Sequence, residues 1–218
     1  MSKVLVLVPH GDDEVLGFGG TIAKHVQKGD AVDVVLLRGG DTPRYITQNI
    51  DAYKAKQILG YNELSQLNVK EEDIYNKPYE LKNIVEHVLA KHMPHVLYTT
   101  FIADNHQDHK CLFNAVSIAA RPWGPCSSIN SVFVGEVFSS SDQSFSFVKS
   151  MFVPNFYNAL SKEHVDKKVA ALNSYALERQ DHPHPRSEVI IRSQASIRGS
   201  ECRERYAEAF MLLRHFEM

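Results

Sequence analysis

The chain has 218 residues, with 24 Lys and Arg against 26 Asp and Glu, which gives a formal net charge of −2 at pH 7. This near-neutral balance lacks the basic excess of a nucleic-acid-binding surface, so we expect no nucleic-acid partner. No run of about 18 apolar residues is present, which predicts no transmembrane helix. The 3 scattered cysteines indicate reduced thiols and a cytoplasmic location.

The beginning of the chain alternates apolar runs with a helical pattern. Residues 4–8 are a continuous run of Val and Leu, which is typical of a strand buried on both faces of a parallel sheet. After a Gly- and Asp-rich turn at residues 10–20, residues 21–28 predict a short helix and residues 31–37 a second buried strand. This succession is the βαβ unit, in which the two strands run in the same direction.

The same alternation continues along the chain. The next predicted elements are a helix that ends at Gly60, an apolar helix stripe at residues 81–89, a strand at 95–101, a helix at 112–119, a strand at 131–138 and a helix capped by Ser161. Residues 206–213 are apolar and periodic, and their pattern fits a helix and a strand equally. We therefore predict a single α/β domain over residues 1–218, with a Rossmann-like three-layer arrangement and a mostly parallel central sheet.

Three predicted loops follow the carboxyl ends of strands, which is where open parallel sheets form their sites. They comprise residues 10–20, 38–44 and 102–109. We expect the choice of substrate to depend on the second of these loops and on two later polar segments, residues 139–147 and 180–186. The first of the two later segments is rich in Ser and is predicted to be the most mobile part of the chain.

The first loop places an imidazole, His10, beside the carboxylates of Asp12, Asp13 and Glu14. Crowding like charges at the end of a buried strand is costly unless a cation lies among them, and zinc accepts both imidazole nitrogen and carboxylate oxygen. Two alternatives remain open. The acidic residues can simply oppose the dipole of a following helix, or the glycines at 17–20 can belong to a nucleotide loop, although the carboxylates would repel a pyrophosphate.

The third loop carries a second cluster, His106, Asp108 and His109. The two histidines are three residues apart, so both can face one point at the start of a helix. Together the two clusters supply two or three zinc ligands and spare acids and bases, and they leave the open position that a catalytic zinc requires.

The other histidines are weaker candidates for a site. We expect four of them to face solvent from helical patterns: His25, His87, His92 and His164. His182 and His184 lie in the late polar loop and are the best rivals for an additional ligand or a substrate contact.

The motifs PHGDDE at residues 9–14 and HQDH at 106–109 resemble the two signatures of the PIG-L/LmbE family of zinc-dependent de-N-acetylases. Similar residues also occur at 19–22, at 51–60 and around Arg198 and 206–210, in the order that the family has. The sequence departs from the family at Gly11 and Gln107, which replace prolines, and at Asp104, which stands where some members carry a tyrosine as an oxyanion donor.

The resemblance implies that one Zn²⁺ per chain is bound by His10, Asp13 and His109. It also implies that Asp12 is the general base and that His106 is the general acid or oxyanion stabiliser. Successive side chains of an extended segment point in opposite directions, which agrees with one of the two neighbouring aspartates binding zinc while the other faces the zinc-bound water.

Asp108 would orient or charge a neighbouring histidine, and Arg44 is a loose match to a substrate-binding arginine of the family. The implied reaction is hydrolysis of the N-acetyl amide of a small-molecule amino sugar or glycoconjugate that resembles GlcNAc. A non-catalytic sugar- or nucleotide-binding α/β module and a zinc phosphoesterase are the alternatives. A homo-oligomer is compatible with the sequence.

Overall fold

The computed structural model describes residues 1–39, 42–145 and 151–217. These residues form a mixed α/β fold with seven strands and seven helices. In chain order the elements are β1 (Lys3–Val8), α1 (Asp13–Gln27), β2 (Ala31–Arg38), α2 (Pro43–Leu59), β3 (Glu63–Val69), α3 (Glu71–Asn76), α4 (Pro78–His92), β4 (Val96–Thr100), α5 (Gln107–Ala119), β5 (Ser131–Gly135), β6 (Phe156–Leu160), α6 (Lys162–Asn173), α7 (Glu188–Glu201) and β7 (Tyr206–His215).

The seven strands form one sheet in the order β3-β2-β1-β4-β5-β7-β6. The first five of these strands are parallel to one another, whereas β7 is antiparallel to both β5 and β6. In the middle of the sheet, Val6 of β1 lies opposite Val34 of β2 and Tyr98 of β4. Because these strands are parallel, the loops after β1, β2 and β4 meet at one edge of the sheet.

The central strand β1 separates two hydrophobic cores. Val4, Val6 and Val8 pack into the core that contains α1 residues, while Leu5 and Leu7 pack into the core that contains α4 and α5 residues. Residues alternate between the faces of a strand, so a continuous apolar run belongs to a strand covered on both sides. The predicted buried strand and the mostly parallel central sheet are thus confirmed.

Helix α1 begins at Asp13, eight residues before the predicted position at Thr21. The glycines that suggested a turn lie within this helix and let it approach the sheet closely. A Cβ atom on Gly20 would collide with the Leu160 side chain at the end of β6. The glycine-rich run is therefore a helix-packing surface and not a phosphate-binding loop.

Several other elements differ from the sequence prediction or refine it. Strands β3 and β6 and helices α3 and α7 were not predicted, and the ambiguous C-terminal segment is strand β7. The stop of α2 at Gly60 is confirmed, because this residue has the left-handed φ of 83° that favours glycine. Residues 40 and 41 of one predicted substrate loop and 146 and 147 of another lie outside the described residues. Among the described helices, none combines the length and apolar character needed to cross a bilayer.

The expectation that four helical histidines face solvent is wrong for three of them. The ring of His25 is 16% exposed and lies 2.8 Å from Asp30 Oδ2 and 3.1 Å from the Tyr98 hydroxyl oxygen. The His164 side chain is buried, completes the capping box of Ser161 at the start of α6, and lies 2.7 Å from Gln27 Oε1. The ring of His92 is only 4% exposed and pairs with Asp33. A buried polar ring requires such hydrogen-bond partners, and most of these come from distant parts of the chain.

Candidate metal centre

A cavity of about 260 Å³ opens at the carboxyl ends of β1, β2 and β4. All the site residues predicted from the sequence line this cavity: His10, Asp12, Asp13, Arg44, His106, Asp108 and His109. The loop after β1 supplies the first cluster, and the start of α5 supplies the second. The parallel pairing of β1 with β4 is what places the two clusters side by side.

Asp13 lies between two imidazoles at the centre of the site. Its Oδ2 atom is 3.0 Å from His10 Nδ1 and 3.2 Å from His109 Nε2, and its side chain is 2% exposed. Burial opposes ionisation of Asp13, but His109 and His10 outweigh it and hold the pKa of this carboxyl well below its usual range. The Asp13 carboxylate thus contacts both imidazoles, whereas the ligand atoms near it that all lie within 4.8 Å of one another belong to His10, His106 and His109.

The pKa values of the two imidazoles are shifted upward, opposite to the shift of the Asp13 carboxyl. Burial is the largest single influence and lowers the pKa of each ring, but the surrounding carboxylates together outweigh it. Asp13 and Asp108 raise the pKa of His10 to about 9, and Asp13 and Asp104 raise that of His109 to about 10. Two protonated rings thus gather about as much positive charge around Asp13 as a divalent cation carries. Metal binding and protonation compete for the same ligand atoms, so this arrangement fits a divalent cation.

The ring nitrogens that face away from Asp13 each meet a second carboxylate. His10 Nε2 forms a hydrogen bond of 2.8 Å with Asp108 Oδ2. His109 Nδ1 lies 3.1 Å from Asp104 Oδ2, close enough for an ion pair, although the angle is not that of an aligned hydrogen bond. Metal-binding histidines typically make such a contact with a carboxylate, which fixes the ring and increases its basicity as a ligand.

The role of Asp104 was missed by the sequence analysis. Its buried carboxylate accepts hydrogen bonds from Ser140 Oγ at 3.0 Å, from Ser141 Oγ at 2.6 Å and from the His106 backbone N–H at 2.8 Å. The only signal for this residue was its place in the same loop as the second motif. This position makes the Asp104 carboxylate a partner of the His109 ring. Asp104 therefore does not take the place of a tyrosine that donates to the oxyanion.

His106 lies at the N-cap of α5, close to both central rings. Its ring centroid is 4.6 Å from that of His10 and 5.1 Å from that of His109, and one potential ligand atom from each of the three residues lies within 4.8 Å of the others. Burial, together with repulsion from His10, lowers the pKa of His106. Because Nδ1 accepts a hydrogen bond from the Asp108 backbone N–H at 3.2 Å, the neutral ring carries its proton on Nε2.

Asp12 has a different environment from its neighbour Asp13. It is 2% exposed, and its Oδ2 atom forms an ion pair with Arg186 Nη1 at 2.8 Å, although the angle is not that of an aligned hydrogen bond. Burial and repulsion from Asp13 raise the pKa of Asp12 well above its usual value, against the influence of Arg186. The two aspartates therefore face different partners. The reason is not the extended segment that the sequence suggested, because Asp12 is the N-cap residue with φ 105° and Asp13 is the first residue of helix α1.

Arginines and a glutamate form the outer wall of the cavity. Arg44, the predicted substrate residue, is 66% exposed and lies 2.9 Å from Glu178 Oε1. Arg186 was missed as a site residue, although it ends the polar segment 180–186 that was expected to influence substrate choice. In that segment, His184 Nδ1 accepts a hydrogen bond from the Arg186 backbone N–H at 3.1 Å. This nitrogen therefore stabilises the loop and is not free to bind a metal ion.

The parallel α/β fold places a histidine–carboxylate cluster at its carboxyl edge, where such folds build their active sites, and this cluster is a candidate metal centre. The sequence model of the PIG-L family, described as GlcNAc-PI de-N-acetylase, matches residues 5–120, more than half of the chain. The chain therefore belongs to the PIG-L family and is an enzyme of the hydrolytic deacetylase class.

Known proteins of similar sequence or structure agree with this fold. The uncharacterized deacetylase YaiS of Escherichia coli K12 is 25% identical over 179 residues, which cover 79% of this chain and 89% of that protein. N,N'-diacetylchitobiose deacetylase from Pyrococcus horikoshii superposes with a TM-score of 0.77 at 20% identity and covers 98% of this chain and 84% of its own.

The 4-carboxy-2-hydroxymuconate hydratase GalB of Pseudomonas putida KT2440 is also similar in structure. It has a TM-score of 0.75 at 19% identity, with coverage of 100% of this chain and 98% of its own. At such identities the solved structures show the fold alone. The reaction must be argued from the site.

Proposed function

We propose that the protein is a zinc-dependent deacetylase that hydrolyses the N-acetyl amide of a GlcNAc-like amino sugar or glycoconjugate and releases acetate and the free amine. The observation that carries the proposal is the Asp13 carboxylate between His10 and His109. The family description as a de-N-acetylase and the chitobiose deacetylase fold support it.

The residues that would hold the ion are His10, Asp13 and His109, one Zn²⁺ per chain. A donor set of two imidazole nitrogens and one carboxylate oxygen suits zinc and matches the three protein ligands of catalytic sites. When bound, zinc would lower the pKa of a water ligand from 15.7 towards about 7 and polarise the acetyl carbonyl.

Asp12 is the proposed general base. Its Oδ2 atom is buried and has no aligned hydrogen-bond donor among the described residues, so a lone pair remains to accept a proton from the attacking water. An amine leaves only after its nitrogen is protonated. The proton that the Asp12 carboxylate accepts from the water can then be passed to that nitrogen.

His106 is the proposed oxyanion stabiliser. The sequence left its role open between a general acid and a hydrogen-bond donor. Its lowered pKa and the hydrogen bond accepted by Nδ1 favour a neutral ring that donates from Nε2. Such a donor stabilises the negative charge that develops on the acetyl oxygen during attack.

The cavity supports a small, hydroxyl-rich substrate. Its volume of about 260 Å³ lies below the usual range of about 300–1,000 Å³ for ligand pockets, which favours a single sugar ring in the inner part of the site. Its wall offers the side chains of Arg44, Gln48 and Ser139 as hydrogen-bond groups. Arg44 is the proposed contact at the mouth, where the remainder of a glycoconjugate would lie.

The test is a screen of N-acetylglucosamine, N,N'-diacetylchitobiose and N-acetylated glycosides, with acetate and free amine measured together. We expect both products in equal amounts, with activity lost in chelator and restored by Zn²⁺. The Asp12→Asn variant is the matched negative control, and a phosphate monoester tests the phosphoesterase alternative. Acetate release that is indifferent to chelation, or phosphate release without deacetylation, would contradict the proposal.

A further inference from the structure

We infer that Arg186 is a positioning residue that holds the Asp12 carboxylate in its reactive orientation, and that Glu178 holds Arg186 in turn. This inference rests on the proposed role of Asp12 as the base. It assigns a part in the reaction to two residues outside the two sequence motifs, both of which follow α6 in the chain.

The first observation is the set of contacts that the Arg186 guanidinium makes. Nη1 lies 2.8 Å from Asp12 Oδ2 and 2.5 Å from Glu178 Oε2, while Nε donates to Ser139 Oγ at 2.7 Å. The guanidinium is planar and rigid, so contacts in different directions fix both its position and its rotation. A lysine would bring the charge but not the same set of contacts.

The second observation is that Arg186 contacts two residues with strained backbones. Asp12 has φ 105° and Ser139 has φ 81°, both in the region that side-chain-bearing residues rarely adopt. Such conformations persist only where surrounding contacts enforce them, and they concentrate at functional sites. Here one side chain connects the strained residue before α1 to the strained residue after β5.

The third observation is the anchoring of Glu178. Its carboxylate is 7% exposed, and Oε1 accepts from Gln48 Nε2 at 2.7 Å and from Arg44 Nη2 at 2.9 Å. Both donors lie on α2, whereas Arg186 approaches the other oxygen, Oε2. Glu178 thus fixes the position of Arg186 relative to helix α2.

The charges at the site explain why the Asp12 carboxylate needs a positioning residue. Asp12 and Asp13 are adjacent and both buried, and Asp13 already occupies the space between the two imidazoles. Without a cation on its own side, the Asp12 carboxylate would be drawn toward the same positive centre as Asp13. Arg186 keeps it separate and available to accept a proton.

A double-mutant cycle tests the inference. We expect Arg186→Ala to lower kcat about 10- to 100-fold and to change KM by less than about threefold. A small displacement of a reacting group causes a loss of this size. In the Asp12→Asn background, Arg186→Ala should lower kcat by less than about threefold, because the carboxylate that Arg186 positions is already absent. Fully additive losses would overturn the inference, since Arg186 would then act on the substrate or on the fold.

Companion variants separate positioning from folding. Arg186→Lys and Glu178→Gln should show the same kcat-dominated loss to a smaller degree, and added guanidinium should partly restore Arg186→Ala. Arg179→Ala, which removes a half-exposed arginine paired with Asp181, is the matched control and should leave kcat unchanged. Equal losses in the control, or no rescue by guanidinium, would contradict a positioning role.

A crystal structure of Arg186→Ala provides a readout that needs no activity. We expect the Asp12 carboxylate to leave its single position while Asp13 stays between the imidazoles. An unmoved Asp12 overturns the inference even if the enzyme is active. If the wild-type chain deacetylates none of the sugars, the proposed function fails, whereas the position of Asp12 in the variant still decides the structural part of the inference.

Discussion

His10 Nε2 lies 2.8 Å from Asp108 Oδ2, although the two residues are 98 positions apart in the chain. They meet because β1 and β4 are parallel neighbours and because α5 begins directly after the loop that follows β4. The Asp108 carboxylate is fixed in addition by a short hydrogen bond from the Tyr75 hydroxyl and by Arg38 Nη1 at 3.7 Å. A carboxylate held from several directions can fix the orientation of the His10 ring.

Replacement of Asp108 by Asn should weaken metal binding by about 10- to 100-fold, because His10 loses the partner that orients it and increases its basicity. The measurement is a zinc titration against a competing chelator. Tyr75→Phe, which leaves the carboxylate in place, is the matched control and should have a smaller effect. Equal zinc affinities in the wild type and Asp108→Asn would show that Asp108 does not support the ligand.

The two neighbouring aspartates should separate metal binding from turnover. Asp12→Asn should retain zinc and lose about 10²- to 10⁴-fold in kcat, the usual contribution of a general acid–base group. Asp13→Asn and His109→Ala should lose zinc itself, because each removes one of the three proposed ligands. Metal analysis of the purified variants, beside acetate release, distinguishes the two classes. Loss of zinc from Asp12→Asn would contradict the assignment.

The predictable part of the fold consists of elements whose pattern is local. The apolar run at residues 4–8 identified β1. The polar residues at the following strand ends indicated where the candidate metal centre lies, because buried parallel strands bring their carboxyl ends together. The edge strands β3 and β6 carry mixed polar residues and half-exposed positions, so their sequences lack a clear pattern. The early start of α1 was hidden by its glycines, which normally disfavour a helix and here serve close packing.

The part of the site that could not be predicted depends on tertiary contacts. Asp104 and Arg186 belong to loops with no pattern that reveals where their side chains point. Asp104 becomes a partner of His109 only through the turn before α5, and Arg186 reaches Asp12 from a segment more than 170 residues later. Neither contact has a fixed spacing in sequence, so only the folded chain reveals it.

Arg44→Ala should raise KM with only a small fall in kcat, because Gln48 still holds the Glu178 oxygen that Arg44 contacts. The Arg44 side chain is 66% exposed at the mouth of the cavity, far enough out to contact the substrate without touching the reacting amide. Loss of binding that is equal in the ground and transition states raises KM alone. The kinetics of a short and a long N-acetylated glycoside should be compared, and the longer one should suffer more. A fall in kcat with unchanged KM would show that Arg44 acts through Glu178 and Arg186 and does not bind the substrate.

The buried pair Lys168 and Glu208 should dominate the stability of the packing around α1. Lys168 Nζ lies 2.6 Å from Glu208 Oε1, and the Glu208 carboxylate also accepts from the backbone N–H groups of Gly20 and Thr21 at 3.0 and 2.7 Å. Lys168→Met leaves this carboxylate buried without its cation, which should cost about 3–5 kcal/mol in the free energy of unfolding. Urea unfolding measures the loss.

The adjacent lysine provides the matched control for this change. Lys167 is 40% exposed and pairs with Glu163 one helical turn away, so Lys167→Met should cost at most about 0.5 kcal/mol. The double variant Lys168→Met with Glu208→Gln should recover much of the lost stability, because no buried charge then remains unpaired. If both lysine variants unfold at the same urea concentration, the ion pair does not hold α1 against the sheet, and the close packing at Gly20 must do so alone.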